Sequence, residues 1–180
     1  MSDAVARALA FANGLRKNVA TSGKRWAQWP GGADDLAVVL SRIEEIQQRL
    51  QAVPVDEDGD AAAATGIADL RAVLEWTTYQ SVSIQTARAL QTARKTRDFA
   101  ERFGLLDNPA ARLSVLVDSE ESLLENVQTK NDYMRELAAK HPHLGLPEPL
   151  VKPASLAPKV KRQPSRLDLI AQLKKSAKKK

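Results

Sequence analysis

Between Leu36 and Val53 the apolar residues fall at Leu36, Val39, Ile43, Ile46, Leu50 and Val53, alternating three and four apart without a miss. That spacing puts all six on one stripe of an α-helix and offers nothing of the strict alternation that a half-buried strand needs. Arg42, Glu44, Glu45, Gln47, Gln48 and Arg49 fill the positions between, so the helix has a solvated back and a seam that must be covered. Aromatic residues make up only 4% of the chain against 43% apolar, so a core must come from Leu, Ile, Val and Ala. That bias favours helices over a sandwich or barrel. The expected fold class is all-α: an elongated three- or four-helix bundle or antiparallel coiled coil, followed by a basic, proline-containing C-terminal tail.

The neighbouring segments agree. Val5, Leu9, Ala12, Leu15 and Val19 predict a short helix over 3–20. Gly23 and the run from Lys24 to Gly32 read as a loop, in which Pro30 biases Trp29 to extended backbone and the paired glycines permit a turn. Asp34 and Asp35 suit the positive end of the second helix, and Pro54 is expected to end it. After an acidic linker at 54–61, a third helix is expected over 62–103. Its spacing through Ile67, Leu70, Leu74, Thr77, Ser81 and Ile84 turns polar after Trp76. Hydroxyl side chains compete for backbone hydrogen bonds, so a break near Ser81–Ser83 is expected. The polar run 77–96 suggests a face left open until an assembly covers it. Gly104 reads as a C-cap, Asn108-Pro109 as the start of a fourth helix over 109–140, and Pro142 as its stop. Leu113, Leu116, Leu123, Val127, Met134 and Leu137 follow its heptad grid, interrupted by Glu120 and Lys130. Six prolines between His141 and Pro164 read as a polyproline-like or disordered linker. Three regions result: a basic N-terminal helix and Trp-containing loop at 1–33, a helical body at 34–141, and a linker with a basic tail at 142–180.

The motifs that would carry catalysis are missing. There is no cysteine, which removes disulfides, thiolate chemistry and zinc–cysteine sites and fits a reducing compartment. Neither G-x-x-x-x-G-K-[ST] nor G-x-G-x-x-G occurs, and no serine sits in a nucleophile elbow. Asp56-Glu57-Asp58-Gly59-Asp60 has the density of a calcium loop but not its register, because the sixth and twelfth positions from Asp56 are Ala61 and Ile67. Glu120, Glu121 and Glu125 lack the Glu-x-x-His partner of a di-metal bundle and read as a solvated face. His141 and His143 would project to one side of an extended chain as a weak surface metal site. The plainer reading is a helix terminus followed by a polar loop. No catalytic residue, cofactor site or metal site is therefore expected. Trp76 and Tyr79 are expected in the core.

Charge is the remaining signal. Residues 152–180 carry net +9, residues 1–33 net +4 and residues 34–151 net −8. Clustered cations set up a field that a dispersed mixture would cancel, which points to a polyanionic partner. The expected polyanion contacts are Lys159, Lys161, Arg162, Arg166, Lys174, Lys175, Lys178, Lys179 and Lys180. Ser165 and Asp168 can cap a short amphipathic helix whose Leu167, Ile170 and Leu173 share one face, suited to a partner surface. Trp26 and Trp29, interleaved with Lys24 and Arg25, are read as partner contacts or base-stacking groups, against the alternative that the indoles cover the end of the helices. The expected function is a non-catalytic structural or adaptor subunit, joined to other proteins helix to helix and tethered by its tail to nucleic acid or acidic protein tails. The heptad surface also admits a homo-oligomer. The other reading is a sequence-nonspecific nucleic-acid-binding protein using the tail and the Lys24–Trp29 loop. No transmembrane segment is expected. The first twenty residues lack a secretory apolar core, so the expected location is intracellular and cytoplasmic, nuclear or assembly-associated, with a mitochondrial presequence as the minor reading.

Overall fold

The computed structural model describes residues 2–54, 59–102 and 109–156, with 100–102 and 109–119 described by their backbone only. The chain is all-α, with no strand among the described residues. Its elements are α1 (Asp3–Ser22), a 3-10 turn (Gly23–Gln28), α2 (Gly32–Gln51), α3 (Gly59–Arg102), α4 (Pro109–Lys140), a second 3-10 turn (Pro142–Leu144) and the single-turn α5 (Pro153–Leu156).

Ser2 caps α1, its Oγ accepting from the Val5 amide at 3.3 Å, and Asp3 complements the positive helix end. Val5, Ala8, Ala12, Leu15 and Val19 are buried along one stripe, close to the expected register. The connection to α2 is more ordered than a loop. Trp29 is extended, as the following proline requires. Gly31 takes the left-handed region at φ 79°, and Gly32 passes so near Trp26 that a Cβ would sit 1.9 Å from its carbonyl oxygen. Only glycine serves at both positions. α2 therefore starts at Gly32, ahead of its two aspartates, and ends at Gln51 rather than at Pro54.

Side-chain pairs fix the helix directions. Asn13 meets Gln47 and Arg16 pairs with Glu44, so α1 and α2 run antiparallel. Asp69 meets Arg49 from α2, Glu75 meets Tyr133 and Arg94 meets Glu120, so α3 runs against both α2 and α4. α1 and α3, separated by α2 in the chain, run parallel: Gly59 lies beside Ser2, and Arg88 reaches the Arg25 carbonyl. The α2 seam (Val39, Ile43, Ile46 and Leu50 buried, Leu36 partly) faces α1, the first 3-10 turn and α3. α4 packs mainly on α3. α1 and the first 3-10 turn pack against α2 and α3.

Two expectations need correction. α3 does not break at 81–83. Thr77 and Thr78 donate back to the Leu74 carbonyl at 2.9 and 2.8 Å, bonds that a continuous helix tolerates. Ser81 accepts from Trp26 Nε1 at 3.1 Å, and Ser83 donates to Asn131 at 3.5 Å, so neither hydroxyl competes for its own backbone. The second correction concerns the proline-rich stretch, whose first part, 142–156, is packed down. Leu144, Val151 and Leu156 are buried. Gly145 passes Arg42 of α2, Leu150 lies beside Gly31, and α5 rests on α4. This strap reaches α2 at Arg42 through Gly145, α3 at Gln80 through Leu150 and α4 at Asn131 through Val151. The expected caps Gly104 and Asn108 lie outside the described residues.

Candidate functional site

The strap is held by buried polar groups. Asn131, with no exposed surface, donates from Nδ2 to the Val151 carbonyl at 2.6 Å. Gln80, equally buried, accepts from the Leu150 amide at 3.4 Å. A polar atom away from water must find such a partner, and the strap's irregular backbone supplies what a helix would keep to itself. The polar face of α3, expected to await an assembly, is thus covered in part by the chain's own C-terminal segment. Gln80 Nε2 is buried without a hydrogen-bond partner.

At the far end of the strap lies a second polar cluster. Asp69 exposes 4% of its side chain on the wall of α3. Its Oδ2 accepts from Arg49 at 2.8 Å, and its Oδ1 lies 2.8 Å from His143 Nε2. His141 stands beside His143, with ring centroids 6.0 Å apart. One ligand atom from each of Asp69, His141 and His143 can be chosen so that all three lie within 4.8 Å of one another. α4 ends at Lys140 and His141 leaves helical geometry (φ −124°, ψ 59°), so the following turn lays both rings against α3. The histidines were visible as a pair in the sequence. Asp69 was not, being one acid on a long helix and 74 residues away from His143.

The other candidates separate. Trp26, read as a partner or stacking residue, has no exposed surface and meets Trp76 edge to face at 5.8 Å and 76°. A pair like this adds about 0.5–1.5 kcal/mol beyond the area it buries. Trp29 is partly buried against the same core. Lys24 and Arg25 remain exposed, while Arg88, next to them, bonds the Arg25 carbonyl and Gln28 Oε1. Glu120, placed on a solvated face by its sequence context, is buried. Arg94 Nε donates to it at 3.2 Å and Arg97 Nη1 at 2.6 Å, because a charge taken out of water needs partners of opposite sign. Glu121 and Glu125 are exposed. Tyr79 meets Tyr133 at a 47° tilt with ring centroids 4.5 Å apart, and the Tyr133 hydroxyl donates to Glu75 at 2.8 Å. That bond, with burial second, raises the Tyr133 pKa.

A groove of about 280 Å³ between α1 and α3 is lined by Leu15, Asn18, Val19, Thr77, Ser81 and Gln85 among others, with no titratable side chain. Acid–base work has no group there to perform it. No helix among the described residues is long and apolar enough to cross a membrane. The tail candidates Leu167, Ile170, Leu173, Lys159, Lys161, Arg162, Arg166, Lys174, Lys175, Lys178, Lys179 and Lys180 lie outside the described residues. Comparison with family models, with curated proteins and with solved structures finds no match to this chain.

Proposed function

We propose that this chain is a non-catalytic adaptor: an antiparallel helical bundle that carries a basic tail and uses it to hold a polyanionic partner. The observation that carries the reading is the partition of charge, net +9 over residues 152–180 against net −8 over 34–151. The inward-facing α2 seam and the strap-covered part of α3 support a narrower form than helix-to-helix joining. With those surfaces occupied inside the chain, the tail is left as the part that reaches a partner. Lys and Arg on such a segment contact backbone charge rather than base edges, so attachment is largely independent of sequence.

The test is a salt titration of the full chain against DNA, RNA and an acidic protein. Neutralising about six to nine phosphates gives a log–log slope of roughly −4 to −8, and deletion of 157–180, which leaves the packed α5 in place, removes the binding. A flat salt dependence, with loss on Ile170→Asp, overturns the tether and leaves a docking helix presenting Leu167, Ile170 and Leu173. The second reading, direct nucleic-acid binding by the body, is favoured by one observation: exposed Lys24 and Arg25 beside Arg88. With Trp26 buried, that corner offers cations but only Trp29 for stacking. Binding that survives deletion of the tail and falls on Lys24→Ala with Arg25→Ala would favour it.

A further inference from the structure

We propose that Asp69, His141 and His143 form a binding site for one divalent first-row transition ion, zinc above all, which pins the strap to α3. Two imidazole nitrogens and one carboxylate oxygen make a donor set suited to zinc, copper, nickel and cobalt, and poorly suited to magnesium or calcium, which take oxygen ligands. Three protein ligands with a fourth position left to water is a recurrent zinc arrangement.

The geometry is close to what such an ion requires. Bonds of about 2.0–2.2 Å in a tetrahedral field place ligand atoms roughly 3.3 Å apart. His143 Nε2 and Asp69 Oδ1 stand at 2.8 Å, and one choice of ligand atoms from the three residues keeps every separation within 4.8 Å. An ion entering between His143 and Asp69 takes the place of the proton they share. That pair opens by about 0.5 Å and the widest pair closes by at most about 1.5 Å, within reach of ring rotation. The rings are the parts free to turn: the His143 side chain is 50% exposed, and the chain beyond it reaches Gly145 in one short turn.

Asp69 is the fixed point. Packing in α3 holds its side chain at 4% exposure, and Arg49 occupies Oδ2, leaving Oδ1 to the site. A hydrogen bond on the outer oxygen of a ligating carboxylate orients it, as supporting partners do at metal sites. The Arg49 charge opposes the cation. Its side chain is 55% exposed, however, and solvent screens much of that repulsion. The consequence is mechanical: two residues where α4 passes into the strap become cross-linked to α3.

Isothermal titration of Zn²⁺ into the full chain, in a buffer that does not chelate, tests the site. One ion per chain is expected, with no heat from Mg²⁺. His141→Ala and His143→Ala, both on accessible positions, should each weaken binding at least tenfold, since even supporting residues around a metal cost 10–100-fold when removed. Co²⁺ should give the intense visible bands of a tetrahedral site, lost in both variants. Zn²⁺ should also raise the Tm of the wild type and not of either variant. Absence of Zn²⁺ binding, or affinity unchanged by both histidine substitutions, overturns the site. Retained affinity in a folded Asp69→Asn chain would overturn the cross-link to α3.

Discussion

The α2 seam and the polar patch of α3 under the strap are both interior surfaces, built on opposite principles. Val39, Ile43, Ile46 and Leu50 bury hydrocarbon against hydrocarbon, a contact that is strong, periodic and indifferent to small changes of partner. Gln80, Ser83 and Asn131 instead bury amides and a hydroxyl, and they meet the strap or each other at defined atoms. The first surface says only that something apolar must cover it. The second says which backbone groups must arrive, and where. Stability is vested in one, and the choice of a single path for the C-terminal segment in the other.

Breaking the apolar side has the largest expected effect. Ile43→Asp buries an unpaired carboxylate in a packed layer and should cost more than about 4 kcal/mol, seen as loss of cooperative unfolding in circular dichroism. Ile43→Val, which trims a methyl group, should cost about 0.5–1.5 kcal/mol with every helix intact. If the two substitutions proved equally mild, the seam would not be a dry interior.

On the polar side the expected losses are smaller and local. Asn131→Ala strands the Val151 carbonyl and should cost about 2–3 kcal/mol. Amide hydrogen exchange in 145–152 should accelerate more than in α2, and uniform acceleration would show that the strap is no separate unit. Gln80→Met sharpens the contrast further. It removes a long 3.4 Å bond together with an amide nitrogen that has no partner, so its cost should stay under about 1.5 kcal/mol. A Gln80 loss equal to that of Asn131 would mean that both amides anchor the strap.

The smallest effect is confined to alkaline solution. The Glu75 contact raises the Tyr133 pKa above its ordinary 10.0. A phenol whose folded pKa exceeds the unfolded one contributes fully below the unfolded value and loses that contribution as pH rises through the folded one. The Tm difference between wild type and Tyr133→Phe should therefore shrink from pH 9 upward. A constant difference would remove the hydrogen bond as its cause.

Legibility in the sequence follows the same division. The α2 seam could be read because water-driven burial writes itself as a period, and so could α1 through Val5, Ala12, Leu15 and Val19. The start of α2 was missed by two residues, since Gly31 and Gly32 act through backbone shape rather than hydrophobicity. The strap was illegible. Leu144, Val151 and Leu156 have no common period, and their positions are set by side chains distant in the chain: Leu150 by Gln80, 70 residues earlier, and Val151 by Asn131, 20 residues earlier. Hydroxyls on α3 were read as a weakness because their partners, Trp26 and Asn131, lie on other elements. The tryptophan loop shows the converse. Interleaving with Lys24 and Arg25 admits both a binding surface and indoles that cover the helix ends, and the buried Trp26 ring takes the second course.

The edge-to-face pair of Trp26 and Trp76 also gives the molecule an optical signature of its own. Both indoles sit in a dry environment and the third, Trp29, is only partly covered. Near-ultraviolet excitation thus reaches a shielded couple, one member of which is carried by the Gly23–Gln28 turn and the other by α3. Collisional quenchers dissolved in the solvent reach Trp29 first, and reach the couple only when that turn lifts away. The fluorescence of this chain is consequently a built-in gauge of one internal joint, readable without any label.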